Sequence, residues 1–76
     1  METIERISID PAICNGKPCI NGTRITVQSI LEYLAAGDSE KEILDAFPQL
    51  TKEDIHSALS FASKLTAHTY IVKTVA

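Results

Sequence analysis

Two stretches twelve residues apart, Ser39-Glu40-Lys41-Glu42 and Thr51-Lys52-Glu53-Asp54, constrain the fold of this chain more than any other feature. Each begins with a hydroxyl that can accept from the backbone N–H three residues on. Each carries there a carboxylate that can reach back to the N–H of the first residue, which is the reciprocal arrangement of a capping box. Both therefore open helices, and Pro48 between them stops the first. The spacing predicts a short helix through Phe47 that buries Ile43, Leu44 and Phe47. After the turn Pro48-Gln49-Leu50-Thr51, a last helix runs to about Ala67, burying Ile55, Ala58, Leu59, Ala62 and Leu65 with Phe61 on its flank. Upstream, Val27, Ile30, Leu31, Leu34 and Ala35 recur at i, i+3, i+4, i+7 and i+8. With Thr26 as N-cap and Gly37 past the end, they give a helix over about Val27 to Ala36.

Ahead of the helices the pattern changes to period two. Arg6 to Asp10 alternates polar and apolar residues, with Ile7 and Ile9 on one face, and Asp10-Pro11 ends this short strand. Asn21-Gly22 predicts a two-residue type I′ hairpin turn. Folding about it pairs Ile20 with Thr23, Cys19 with Arg24, Pro18 with Ile25 and Lys17 with Thr26. Alternation then puts Pro18, Ile20, Thr23 and Ile25 on the core side and Lys17, Cys19, Arg24 and Thr26 outside. The glycines and lysine of this stretch do not make a phosphate loop, because Pro18 follows Lys17 and removes a backbone donor.

The expected architecture is a small, mostly α, α+β domain: a β-arm with a hairpin over residues 1–26, a three-helix, helix-turn-helix-like core over 27–67 and an extended tail over 68–76. The tail, Thr69 to Ala76, is rich in β-branched residues and needs a strand edge, from the N-terminal strand or from another molecule. A chain of 76 residues has little room for an enclosed active site, and a shared surface with a second copy would help to stabilise it. A homodimer is expected. Hydrophobic content of 45% against 22% charged fits a folded domain and not a disordered one. No segment is apolar for long enough to span a membrane. The start METIERIS lacks an apolar signal-peptide core, so a reducing cytoplasm is the expected location.

These totals also exclude chemistry. Cys14 and Cys19 lie far from His56 and His68, so no four-ligand metal set forms, and neither a metal nor another cofactor is expected. The two cysteines read as small buried or half-buried hydrophobes. No serine, cysteine or carboxylate is placed by a motif beside a histidine, so no catalytic residue is assigned and the chain is not expected to be an enzyme. A hydrolase would need a cavity and a perturbed titratable group. His56 reads as solvated, and His68 as a cap-like cation at a helix end.

Binding remains. The helix-turn-helix order points to DNA contact by the last helix, whose outward residues Lys52, His56, Ser60 and Lys64 are the candidates. Three short helices can also pack this way with no nucleic-acid role. Charge weighs on that side, because net charge is −3 and Asp38 to Asp54 holds six acids against two lysines. Lys17 and Arg24, diagonal neighbours on the outer hairpin face, are candidates for contact with an anion or an acidic partner. For Arg24 a structural pairing with Asp10 or with helix-end carbonyls is favoured, leaving Lys17 the freer charge.

Taken together, Asp10-Pro11, Gly16-Lys17-Pro18-Cys19-Ile20, Gly22-Thr23-Arg24-Ile25 and Val27 resemble the signature of the bacterial domain-of-unknown-function 433 family. Ile30-Leu31, Leu34, Gly37, Ile43-Leu44, Phe47-Pro48-Gln49-Leu50-Thr51, Asp54-Ile55 and Ala58-Leu59 continue the likeness, which covers roughly residues 7 to 63. The resemblance implies a homeodomain-like three-helix protein with an N-terminal β-arm, often dimeric. Some members are similar to antitoxins encoded beside PIN-like ribonuclease toxins. It therefore implies an antitoxin-like regulator that binds a ribonuclease toxin, with its own promoter DNA as a second candidate partner. The alternative is a protein-interaction module with no nucleic-acid binding. Asn15 departs from the pattern, standing where glycine is common, and implies an altered loop before the hairpin.

Overall fold

The computed structural model describes residues 2–4 and 6–67. Strands β1 (Glu2–Ile4) and β2 (Ile7–Ile9) form an N-terminal antiparallel hairpin with Glu2 opposite Ile9, Thr3 opposite Ser8 and Ile4 opposite Ile7. Strand β3 (Cys19–Ile20) pairs on the other edge of β2, Ile7 opposite Ile20 and Ser8 opposite Cys19, so the sheet order is β1-β2-β3. Asp10 ends β2 as expected. Its Oδ1 accepts from Ala12 N at 2.9 Å, a local side-chain turn that competes with the ladder.

The arm around Asn21-Gly22 differs from the predicted hairpin. Ile20 N donates to Ile25 O at 3.0 Å, Val27 N donates to Pro18 O at 2.9 Å, and Cys19 bridges Thr26. Ile20 thus faces Ile25 across a four-residue loop, not Thr23 across two. Of the two central turn residues, Asn21 has no positive φ and Gly22 is left-handed at φ +77°, which is the type II pattern and not type I′. Thr23 supplies the physical reason. Its Oγ1 donates to Ile20 O at 2.8 Å and accepts from Ile25 N at 3.0 Å, so a side chain closes the loop where a ladder pair was expected. The faces change with the register. Cys19 was expected outside beside Lys17 and Arg24, but it is buried, next to the Cys14 thiol and opposite Ser8.

The helices follow their sequence punctuation. Helix α1 (Val27–Ala35) begins at Thr26, whose Oγ1 accepts from Ser29 N at 3.0 Å, and ends before Gly37 at φ +99°. Ala35, expected on the inner face, is exposed at the end of this helix. Helix α2 (Glu40–Ala46) carries both capping-box bonds, Ser39 N to Glu42 Oε1 at 2.8 Å and Glu42 N to Ser39 Oγ at 3.2 Å. Helix α3 (Lys52–Thr66) carries the same pair, Thr51 N to Asp54 Oδ2 at 2.9 Å and Asp54 N to Thr51 Oγ1 at 3.2 Å.

One core joins sheet and helices: Ile7 and Ile20 from the sheet, Ile25, Val27 and Ile30, then Ile43, Leu50, Ile55, Ala58 and Phe61. The inner face of α3 is rotated from the predicted one. Asp54, Ile55, Ala58 and Phe61 are buried, while Leu59 and Leu65 are 43% and 49% exposed. β2 packs against α3 and supplies the reason, because the sheet takes the side of the helix that presents Asp54 and Phe61. This turns the helix by roughly half of one 100° residue step away from the arc that apolar periodicity alone favours. His68 and the predicted extended tail, Thr69 to Ala76, lie outside the described residues.

Candidate functional site

Helix α3 brings Lys52, His56, Leu59 and Ser63 into one outward row, at i, i+4, i+7 and i+11, with Ser60 and Lys64 beside it. Lys52, His56, Ser63 and Lys64 are exposed and Ser60 is half-buried. The predicted DNA candidates therefore share a face, but that face is not basic. Glu53 follows Lys52 on the surface, and His56 Nε2 stands 3.5 Å from Glu40 Oε1 on the first turn of α2. That carboxylate oxygen is enclosed and makes no hydrogen bond of good geometry, so the imidazole, when protonated, is its nearby compensating charge. His56 is exposed, as expected, and also stands beside Glu40 across the α2–α3 turn. Leu59 is the residue that sequence reasoning missed here. Periodicity assigned it to the core, and only the docking of the sheet turns it outward.

The second pair of candidates loses the strand pairing that made them neighbours. Lys17 and Arg24 were diagonal neighbours only in the two-residue hairpin, and in the observed register Arg24 belongs to the loop. Of the expected partners, Asp10 or helix-end carbonyls, neither pairs with the Arg24 side chain among the described residues; Asp10 Oδ1 accepts from Ala12 N. Among the described residues the Arg24 guanidinium makes no ion pair. Arg24 borders a groove of about 560 Å³ lined also by Ser8, Ile13, Gly22, Thr23 and Gln49. A second hollow of about 460 Å³, lined by Ser29, Glu32, Tyr33, Ala36 and Asp38, is acidic. Ser8 and Gln49 come from β2 and from the turn after α2, and no local pattern in the sequence marks them as neighbours.

The loop before β3 holds both thiols. Cys14 and Asn15 adopt left-handed conformations at φ 54° and 56°, followed by Gly16 at φ 80°. Asn15 holds this conformation without being a glycine, because asparagine tolerates the left-handed region. Cys14 Sγ donates to Arg24 O and Cys19 Sγ to Lys17 O, each at 3.3 Å. Burial, reinforced by the adjacent Cys14 thiol, pushes the Cys19 thiol up to about 11, with Arg24 opposing the shift. Among the described residues no three His, Cys, Asp or Glu side chains gather as metal ligands, and no helix is long and apolar enough to cross a membrane.

Comparison with known proteins places this geometry. The profile of the family described as "Protein of unknown function (DUF433)" matches residues 7–62. The uncharacterized protein y4eO of Sinorhizobium fredii (strain NBRC 101917 / NGR234) is 36% identical over 58 residues, which are 76% of this chain and 26% of that protein. The crystal structure of a DUF433 member protein from Anabaena variabilis ATCC 29413 superposes with a TM-score of 0.77 at 34% identity, covering 82% of this chain and 61% of that one. The chain thus spans about a quarter of the curated relative and less than two thirds of the solved one. With most of its length matched, and the fold matched as well, the chain belongs to the DUF433 family.

Proposed function

We propose that this chain is a small, cytoplasmic, non-catalytic regulator of the antitoxin kind, a homodimer that neutralises a PIN-like ribonuclease by binding it through the outward row of α3. The observation that carries this reading is Leu59, a large apolar side chain 43% exposed in the middle of a row that also holds Lys52, His56 and Ser63. An apolar centre rimmed by polar groups suits a protein partner better than a phosphate backbone. The charge balance points the same way. A ribonuclease that grips RNA presents a basic surface, and a chain of net charge −3 is complementary to it. The test is RNA cleavage by a ribonuclease encoded beside this chain. Inhibition at equimolar chain supports the proposal, and cleavage undiminished by excess chain overturns it.

A second role, repression of its own promoter, is supported by the helix-turn-helix order of α2 and α3 and by the outward placement of Lys52, Ser60 and Lys64. In that role Lys17 and Arg24 would touch phosphate. Band-shift titration at low salt tests it. Affinity unchanged by charge reversal at Lys52 and Lys64 removes the α3 contacts. No binding to any duplex at low salt leaves a protein-interaction module alone.

A further inference from the structure

We propose that the groove between the Gly22–Arg24 loop and the turn after α2 binds a carboxylate group, held by the Arg24 guanidinium with the Ser8 hydroxyl and the Gln49 side-chain amide as further donors. The site is separate from the α3 row and does not depend on the function assigned to it.

Ser8 is the first reason. It is only 8% exposed, it lines the groove, and among the described residues its hydroxyl makes no hydrogen bond. Its oxygen is not enclosed, unlike Glu40 Oε1, so it is hydrated from the groove, and a ligand oxygen there would take the place of that water. Thr23 contributes no donor, since its hydroxyl is spent on Ile20 O and Ile25 N. Arg24 is the second reason. In a chain of net charge −3, this cation has no ion-pair partner among the described residues. No acid lines the groove, so its single formal charge is positive.

The shape and charge select the ligand. One guanidinium balances one negative charge, and its paired N–H groups match the two oxygens of a carboxylate. A phosphate dianion would keep a charge that nothing in this lining compensates. Ile13 offers an apolar wall for a short hydrocarbon stem. The ligand is therefore the end of a glutamate or aspartate side chain of another protein, or a small carboxylic acid.

The experiment follows amide resonances of the full chain by nitrogen-15 NMR. Three probes are added separately: propionate, a blocked five-residue peptide with one central glutamate, and inorganic phosphate. The expected result is movement of the Ser8, Gly22, Thr23 and Arg24 backbone signals and the Gln49 side-chain signal with a carboxylate probe, half-saturating at about 1–10 mM. In R24Q the same titration shifts by about tenfold or more, with the rest of the spectrum unchanged. Tighter binding of the peptide assigns the source as a protein side chain, and tighter binding of propionate assigns a small acid. Three results overturn the proposal: no movement with either carboxylate, equal movement in R24Q, or phosphate saturating at lower concentration than both.

Discussion

Arg6 Nη1 lies 3.4 Å from Asp54 Oδ1, a contact 48 residues apart in sequence that fastens the strand hairpin to the first turn of α3. The same carboxylate closes the capping box through Oδ2, so Asp54 holds the helix start and the sheet together. The two partners are unequal. The Asp54 side chain is 9% exposed and that of Arg6 52%. Asp54→Ala, which removes a buried acceptor from Thr51 N, is expected to lower unfolding stability by about 1–3 kcal/mol. Arg6→Ala, which breaks only a half-solvated ion pair, is expected to cost under about 1 kcal/mol. Urea unfolding of the two variants checks the ratio, and equal losses would contradict the division of roles.

The rotation of α3 is tested by two neighbouring residues. Phe61 is buried in the core and Leu59 is not. Phe61→Ala should cost about 3–5 kcal/mol. Leu59→Glu should stay within about 1 kcal/mol of the parent, because its side chain keeps much of its access to water. The arc that apolar periodicity favours in α3 ranks these two in the opposite order.

Asn15 tests the loop before β3. At φ 56° and ψ 33° it already has the left-handed backbone. Asn15→Gly should be nearly neutral, within about 0.5 kcal/mol, and Asn15→Val should lose about 1–2 kcal/mol. A large gain on Asn15→Gly would mean that the asparagine is strained there.

Cys19 gives a pH dependence whose sign follows from its burial. Its thiol is raised from 9.0 to about 11 in the folded chain, so the folded state holds the proton more tightly than the unfolded one. The stabilisation is complete below pH 9 and is lost as pH rises from 9 towards 11, by about 1–3 kcal/mol. Denaturant midpoints over that window measure it, with Cys19→Ala flattening the profile. At neutral pH an alkylating reagent should modify half-buried Cys14 well before buried Cys19.

The helices were legible because their ends are written locally. Thr26, Ser39 and Thr51 each cap through bonds spanning three residues, and such bonds depend little on the rest of the chain. The arm was less legible. Asn21-Gly22 fits two turn types, and the Thr23 hydroxyl selects the wider loop by bonds that a dipeptide rule does not contain. The sites were least legible, because each depends on a contact between distant segments. Sheet docking turns Leu59 outward, Glu40 stands beside His56, and Ser8 meets Arg24 and Gln49 only after folding.

The most direct measurement is affinity purification of the tagged chain from its own host, in parent and Leu59→Glu forms, with identification of what co-purifies. A stoichiometric PIN-like ribonuclease is expected with the parent and is lost with Leu59→Glu if the α3 row is the binding face. Recovery of promoter DNA without any ribonuclease, or of no partner at all, would contradict the account.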